Sequence, residues 1–166
     1  MRLTRFEREY AAHYKSIFAY TLRRTADVQD ASDVVAEVFL TAWRRLDDMP
    51  EGQQGLLWLY GVARLTLANY DRARRRHERL TAKVQAYAAS PVLDTSAAYD
   101  QADSVAAAFG RLRPDDQDIL GLVAVEGLTP AEAAGVLGCT AVNVRVRLHR
   151  ARVRFARELS AEGVIL

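Results

Sequence analysis

The stretch Thr129-Pro130-Ala131-Glu132-Ala133-Ala134-Gly135-Val136-Leu137-Gly138-Cys139-Thr140-Ala141-Val142-Asn143-Val144-Arg145-Val146-Arg147-Leu148-His149-Arg150 decides the fold. A threonine, then a proline, then a glutamate three residues past the threonine is the pattern of a capped helix start, because the threonine and glutamate side chains satisfy backbone N–H groups that the first turn leaves unpaired. Gly138 can take the left-handed conformation that ends such a helix, and Thr140 is placed to cap the next one. Ala134 is small where two helices would cross, and Val144 is apolar where the second would seat on the first. The pattern predicts a helix-turn-helix, the arrangement that sets its second helix in the major groove of DNA.

Beyond the turn, Val144, Leu148, Ala151, Phe155 and Leu159 form one apolar stripe, so the arginines between them must fall on the other faces. Residues 141–157 hold Arg145, Arg147, Arg150, Arg152, Arg154 and Arg157 with no acid, whereas residues 114–132 hold Asp115, Asp116, Asp118, Glu126 and Glu132 with no base. This segregation marks the last helix as an anion-binding surface. Its first turns face base edges and its later turns run along phosphates, which makes Thr140, Asn143, Arg145, Arg147, His149 and Arg150 candidates near the bases and Arg152, Arg154 and Arg157 candidates for the backbone.

Composition fits a folded chain: 166 residues, 50% hydrophobic and 27% charged, with a net charge of +2. The longest uncharged runs, 52–63 and 133–144, hold 12 residues, short of the roughly 20 that a membrane-spanning helix requires. Arg2, Arg5 and Glu7 open the chain without an apolar stretch after them, and Cys139 is the lone cysteine. A cytoplasmic protein without membrane insertion is expected. Of 23 basic residues only Lys15 and Lys83 are lysines, leaving 21 arginines, whose planar fork suits phosphate and guanine edges. His13, His77 and His149 lie far apart, and there is no HExxH, no paired-cysteine spacing and no glycine-rich phosphate loop. Neither a metal site nor a cofactor nor a catalytic residue is expected.

The other half also reads as helix. Phe6, Tyr10, Tyr14, Ile17, Phe18 and Leu22 predict an amphipathic helix ending near Arg24, and a second begins at about Asp30 with Val35, Val38, Phe39, Ala42, Trp43 and Leu46 on one face. Asp47–Gly55 reads as a loop, after which Leu56, Leu59, Tyr60, Ala63, Leu67 and Tyr70 outline a third helix running into Arg72, Arg74, Arg75, Arg76 and Arg79. Arginines next to Trp58, Tyr60 and Tyr70 fit either unpaired nucleic acid stacked on aromatics or an ordinary core beside a solvated basic face. Residues 88–103 read as linker, and Val105, Phe109, Leu112 and Pro114 begin further helices. The expectation is an all-α protein: two small helical domains joined by a flexible linker, the second a helix-turn-helix domain, with bounds at 1–80, 81–103 and 104–162.

These residues in this order resemble the extracytoplasmic-function sigma factors of bacterial RNA polymerase. Asp30–Phe39 with Ala42-Trp43-Arg44 resembles the family's polymerase-binding helix, and Trp58–Arg64 with the arginine run resembles its promoter-melting segment. Leu112–Gln117, Glu126–Ala134 and Val144–Arg152 resemble its C-terminal DNA-reading domain. Ala36 and Leu65 depart from the pattern, standing where glutamine and asparagine are common. The resemblance implies a transcription-initiation subunit without chemistry of its own. It assigns Asp30, Asp33, Glu37, Leu40 and Trp43 to the clamp of the largest polymerase subunit, and it places Trp58, Asn69, Arg72, Arg75 and Arg76 on the minus-ten strand with a flipped base in the loop 48–55. The second domain would read minus-thirty-five DNA and meet the flap of the second-largest subunit. An anti-sigma factor is a further implied partner, and the free chain is expected to be monomeric. Two other classes stay open on residues alone: a dimeric helix-turn-helix repressor with an N-terminal dimerisation lobe, and a helical adaptor for an acidic protein.

Overall fold

The computed structural model describes residues 1–85 and 101–163. Among them every regular element is helical: α1 (Arg2–Leu22), α2 (Val28–Arg44), α3 (Gln53–Gln85), α4 (Gln101–Arg111), α5 (Pro114–Leu120), a π-helical turn (Gly121–Val125), α6 (Pro130–Leu137) and α7 (Ala141–Ala161). Most of the expected linker, residues 86–100, lies outside the described residues. Helix α3 runs past position 80 to Gln85.

α1, α2 and α3 pack on one another as a first lobe, and α4, α5 and α6 pack around α7 as a second. Helix α2 starts earlier than its apolar stripe implied, because Asp27 caps it: Oδ1 accepts from the Asp30 N–H at 2.8 Å. Val34, Val35, Val38, Phe39 and Ala42 form its buried face. The stripe predicted for α1 is only partly the buried one. Ile17 and Tyr20 are buried together with polar Glu9, His13 and Thr21, whereas Tyr10 and Leu22 are exposed. Tyr10 instead lies against Phe39 at 4.6 Å and Phe6 against Trp43 at 5.3 Å, so α1 turns its aromatic side toward one edge of α2. Between α2 and α3 the loop closes tightly at Gly55, where a Cβ would stand 2.6 Å from the Pro50 carbonyl oxygen.

The second lobe follows its cap chemistry. Pro114 opens α5, with Asp115 and Asp116 in the first turn. Beyond α5 the helix widens at Gly121–Val125, where the Glu126 N–H bonds to the Gly121 carbonyl at 2.9 Å. The capping box of α6 is formed: Thr129 N–H donates to Glu132 Oε2 at 2.8 Å and Glu132 N–H donates to Thr129 Oγ1 at 3.2 Å. These bonds hold the Glu132 carboxyl below the usual carboxylate range. Val144, Leu148, Ala151 and Leu159 are buried along α7. Arg154 is clamped to buried Asp116, Nη1 lying 2.8 and 2.9 Å from the two carboxylate oxygens, and thereby ties α7 to α5.

The lobes are docked on each other through α3 and α6 and through a polar seam. Tyr20 donates to Asp118 at 3.3 Å and Tyr60 to Glu126 at 2.6 Å, with the two rings 5.2 Å apart. Burial first, and the facing carboxylates second, push both phenols above their ordinary range.

Replacing Arg154 by alanine leaves the buried Asp116 with only Arg113, at 3.3 Å, and is expected to cost about 1–3 kcal/mol in thermal or denaturant unfolding. A DNA-contact role alone would leave stability unchanged. The raised phenols give a second expectation. Protonated Tyr20 and Tyr60 stabilise the fold fully below the unfolded tyrosine value of about 10 and progressively less above it. The melting temperature should fall more steeply above that pH in the native chain than in Tyr20→Phe/Tyr60→Phe.

Candidate nucleic-acid interface

Helix α6, its turn and α7 form the first part of the interface. Gly138 sits at φ +64°, and the Cys139 N–H bonds to the Ala134 carbonyl at 3.1 Å, closing α6 in the manner of a Schellman turn. Thr140 then caps α7, its Oγ1 accepting from the Asn143 N–H at 3.2 Å. Thr140 therefore fixes the angle at which α7 leaves the turn.

With Val144, Leu148 and Ala151 in the core, helical spacing of 100° per residue directs Val142, Asn143, Val146, His149, Arg150 and Val153 outward, and all six are exposed. Arg145 and Arg152 line one exposed edge, while half-buried Arg147 and Arg154 line the other. Asn143, Arg145, Arg147, His149 and Arg150 thus fall on three adjoining faces over two turns. Arg154 is the exception, since its guanidinium is held by Asp116. The exposed valines Val142 and Val146, at 66% and 45%, were not singled out from the sequence. Their position off the 144/148/151 stripe was the available signal.

Helix α3 supplies the second part. Beyond buried Asp71, residues 72–80 are all exposed, so the end of α3 carries its arginines away from the core. Arg74 pairs with Glu78 at 2.8 Å and Arg72 with Asn69. Among the described residues Arg75, Arg76 and Arg79 make no ion pair. Trp58 is half-buried, its ring 5.6 Å from the Arg45 guanidinium, and lines a cleft with Gly61, Val62 and, across the seam, Glu132, Gly135 and Val136. Trp58 and the arginine run therefore do not share one surface patch.

On α2, Asp33, Glu37 and Leu40 are exposed on one face, Leu40 at 41%. Asp30 and Trp43 are less available. Asp30 Oδ2 accepts from the Tyr70 hydroxyl at 2.6 Å, and Trp43 packs edge-on against Phe6 beneath the Arg2 guanidinium. The loop 48–55 is braced by Arg5 on the Met49 carbonyl and by Arg45 on Asp48 at 3.1 Å.

The polar seam was not anticipated. The Arg24 side chain is enclosed, reaching Asp118 with one nitrogen and Asp71 at 3.2 Å with another, and Arg23 reaches Glu126. The acid-only stretch 114–132 carried the signal: it sets Asp118 and Glu126 opposite two consecutive arginines at the end of α1. Among the described residues no cluster of histidine, cysteine or carboxylates is placed to hold a metal, and no helix is long and apolar enough to cross a membrane.

Comparison with known proteins matches both lobes. Residues 10–77 match the family Sigma-70 region 2 and residues 102–155 match Sigma-70, region 4. The RNA polymerase sigma factor CnrH of Cupriavidus metallidurans is 28% identical over 145 residues, covering 81% of this chain and 75% of that protein. The ECF RNA polymerase sigma factor EcfG of Rhodopseudomonas palustris is 26% identical over 149 residues, covering 89% and 81%. In fold, the chain is similar to the sigma factor RpoE of Bartonella quintana in its complex with the anti-sigma factor NepR, with a TM-score of 0.70, 20% identity, and coverage of 93% and 96%. With both regions matched in order on two helical lobes, the chain belongs to the extracytoplasmic-function sigma factors, the transcription-initiation subunits of the sigma-70 superfamily.

Proposed function

We propose that this sigma factor divides its work between the lobes, with α2 docking on the clamp of the largest polymerase subunit, α3 holding the minus-ten strand and α7 reading the minus-thirty-five duplex. The observation that carries the reading is the capped, arginine-faced α7, whose cap fixes its angle and whose core stripe directs Asn143, Arg145, His149 and Arg150 outward. The exposed Asp33, Glu37 and Leu40 support α2 as the docking face. Trp43 and Asp30 act there by positioning, the first by stacking under α1 and the second by fixing α2 to Tyr70 of α3. The exposed end of α3 supports Arg72, Arg75 and Arg76, with Asn69, as contacts to the melted strand. Trp58 joins them only once α6 has moved from it. A bound base would lie in the loop 48–55, which Arg5 and Arg45 brace.

The further partners are the flap of the second-largest subunit on the second lobe and an anti-sigma factor, the latter supported by the complexed state of the structural relative. The free chain is read as a cytoplasmic monomer with bounds near 1–80 and 104–162, no cofactor and no catalysis.

The test separates the two surfaces. Arg145→Ala or Arg150→Ala should weaken promoter binding by the holoenzyme by about 1–3 kcal/mol while core polymerase is bound as before. Asp33→Lys/Glu37→Lys should abolish holoenzyme assembly and leave the helical content unchanged. Equal loss of core affinity in the arginine variants, or normal assembly in the acidic double variant, contradicts the division.

A further inference from the structure

Helix α1 reaches the loop between α2 and α3 through three arginines spaced three residues apart. Arg2 donates to Asp47 at 2.9 Å and to the Trp43 carbonyl at 2.9 Å. Arg5 donates to the Met49 carbonyl and lies 3.7 Å from the Glu51 carboxylate, and Arg8 lies 3.4 Å from that same carboxylate. At this spacing the three fall along one side of the helix, so they meet the loop in its own order. Beneath them Glu9 is 4% exposed and fixes Arg8, its Oε1 accepting from Nε at 3.2 Å and from Nη2 at 3.0 Å. Its other oxygen lies 3.5 Å from where a Cβ of Gly55 would stand, under the far end of the loop.

The loop's own backbone leaves this work to side chains. It consists of two turns: the Asp48 and Met49 N–H groups bond back to the Arg45 and Leu46 carbonyls, and those of Gly55 and Leu56 bond back to Gly52. Among the described residues no backbone hydrogen bond joins one turn to the other. Pro50, between them, has no N–H to give. Gly55 packs against the Pro50 carbonyl and limits how near the turns come. The polar contacts that span the join are those of Arg5, which meets Met49 on one side and Glu51 on the other, and of Arg8, which meets Glu51.

Energetics set this network apart from the core. The Arg8 and Glu51 side chains are 59% and 66% exposed, and ion pairs so open to water contribute little to folding. What they do fix is the position of one turn relative to the other.

We propose that Arg5 and Arg8, with Glu9 behind them, are positioning residues that set the geometry of the loop 48–55, and through it the base preference at the minus-ten element, without touching DNA. This role rests on the reading of that loop as the place of the flipped base. Turns held at one separation form a pocket of fixed shape, which selects among bases; turns released from α1 accept more of them.

Transcription by the reconstituted holoenzyme from a library randomised over the minus-ten element tests the role, with thermal unfolding of each variant measured alongside. Arg8→Gln and Arg5→Ala should each reduce discrimination between the preferred base and the next best several-fold and leave the minus-thirty-five preference unchanged. For Arg8→Gln the melting temperature should stay at the native value. Where Arg5→Ala lowers helical content, Arg8→Gln carries the expectation by itself. Glu51→Gln should also relax the preference, and Arg8→Gln/Glu51→Gln should be no worse than Glu51→Gln alone, because the two side chains act through each other. Additive losses would mark two independent DNA contacts and overturn the positioning role. Gly52→Ala strains a residue at φ +62° inside the loop and so probes the loop directly. If Gly52→Ala alters the minus-ten preference and the α1 variants do not, the role of α1 is overturned while the loop remains the base site. If none of them alters it, the loop is not the base site and the role of α1 falls with it.

Discussion

A helix that buries Val144, Leu148, Ala151 and Leu159 has no freedom in where its other residues go. That stripe seats α7 on α5 and α6, and the Thr140 cap sets where the helix begins, so Asn143, Arg145, His149 and Arg150 must face solvent together. The rest of the second lobe serves this placement. The capping box on α6 and the left-handed Gly138 hold the turn, and Asp116 takes one arginine out of the exposed set to bolt α7 to α5. The chain thereby separates arginines that carry structure from arginines that remain available to a polyanion, a distinction that net charge alone conceals.

The first lobe obeys a different constraint. Its core is shared by three helices, yet α3 is far longer than the core it packs against, and residues 72–80 are all exposed. A helix that leaves its domain with arginines on all sides is stabilised by its own hydrogen bonds and by pairs such as Arg74–Glu78 more than by packing. Such a segment suits a partner that supplies the missing charge.

Much of this was legible in residues. Thr129-Pro130-Ala131-Glu132, Gly138 and Thr140 predict caps whose chemistry is local, and each is formed as read. The stripes of α2, α3 and α7 are apolar and periodic, so their buried faces follow as well. Legibility ends where polar groups enter the core. Glu9, His13 and Thr21 are buried on α1, which drew attention instead to the aromatic edge. Asp118, Asp71 and the Arg24 side chain are enclosed where they meet one another, and no single-segment periodicity reports partners 94 and 47 residues away. The π-turn at 121–125 likewise leaves no signal in the apolar run Gly-Leu-Val-Ala-Val.

As a sigma factor, this chain is expected to start transcription only as part of a polymerase. The most direct measurement mixes the purified protein with sigma-free core RNA polymerase, isolates the complex by size exclusion, and assays it on a promoter library. A stable one-to-one complex that initiates at a defined subset of promoters is the predicted result. No complex with core enzyme, together with binding of palindromic duplex DNA by a dimer of the free protein, would contradict it.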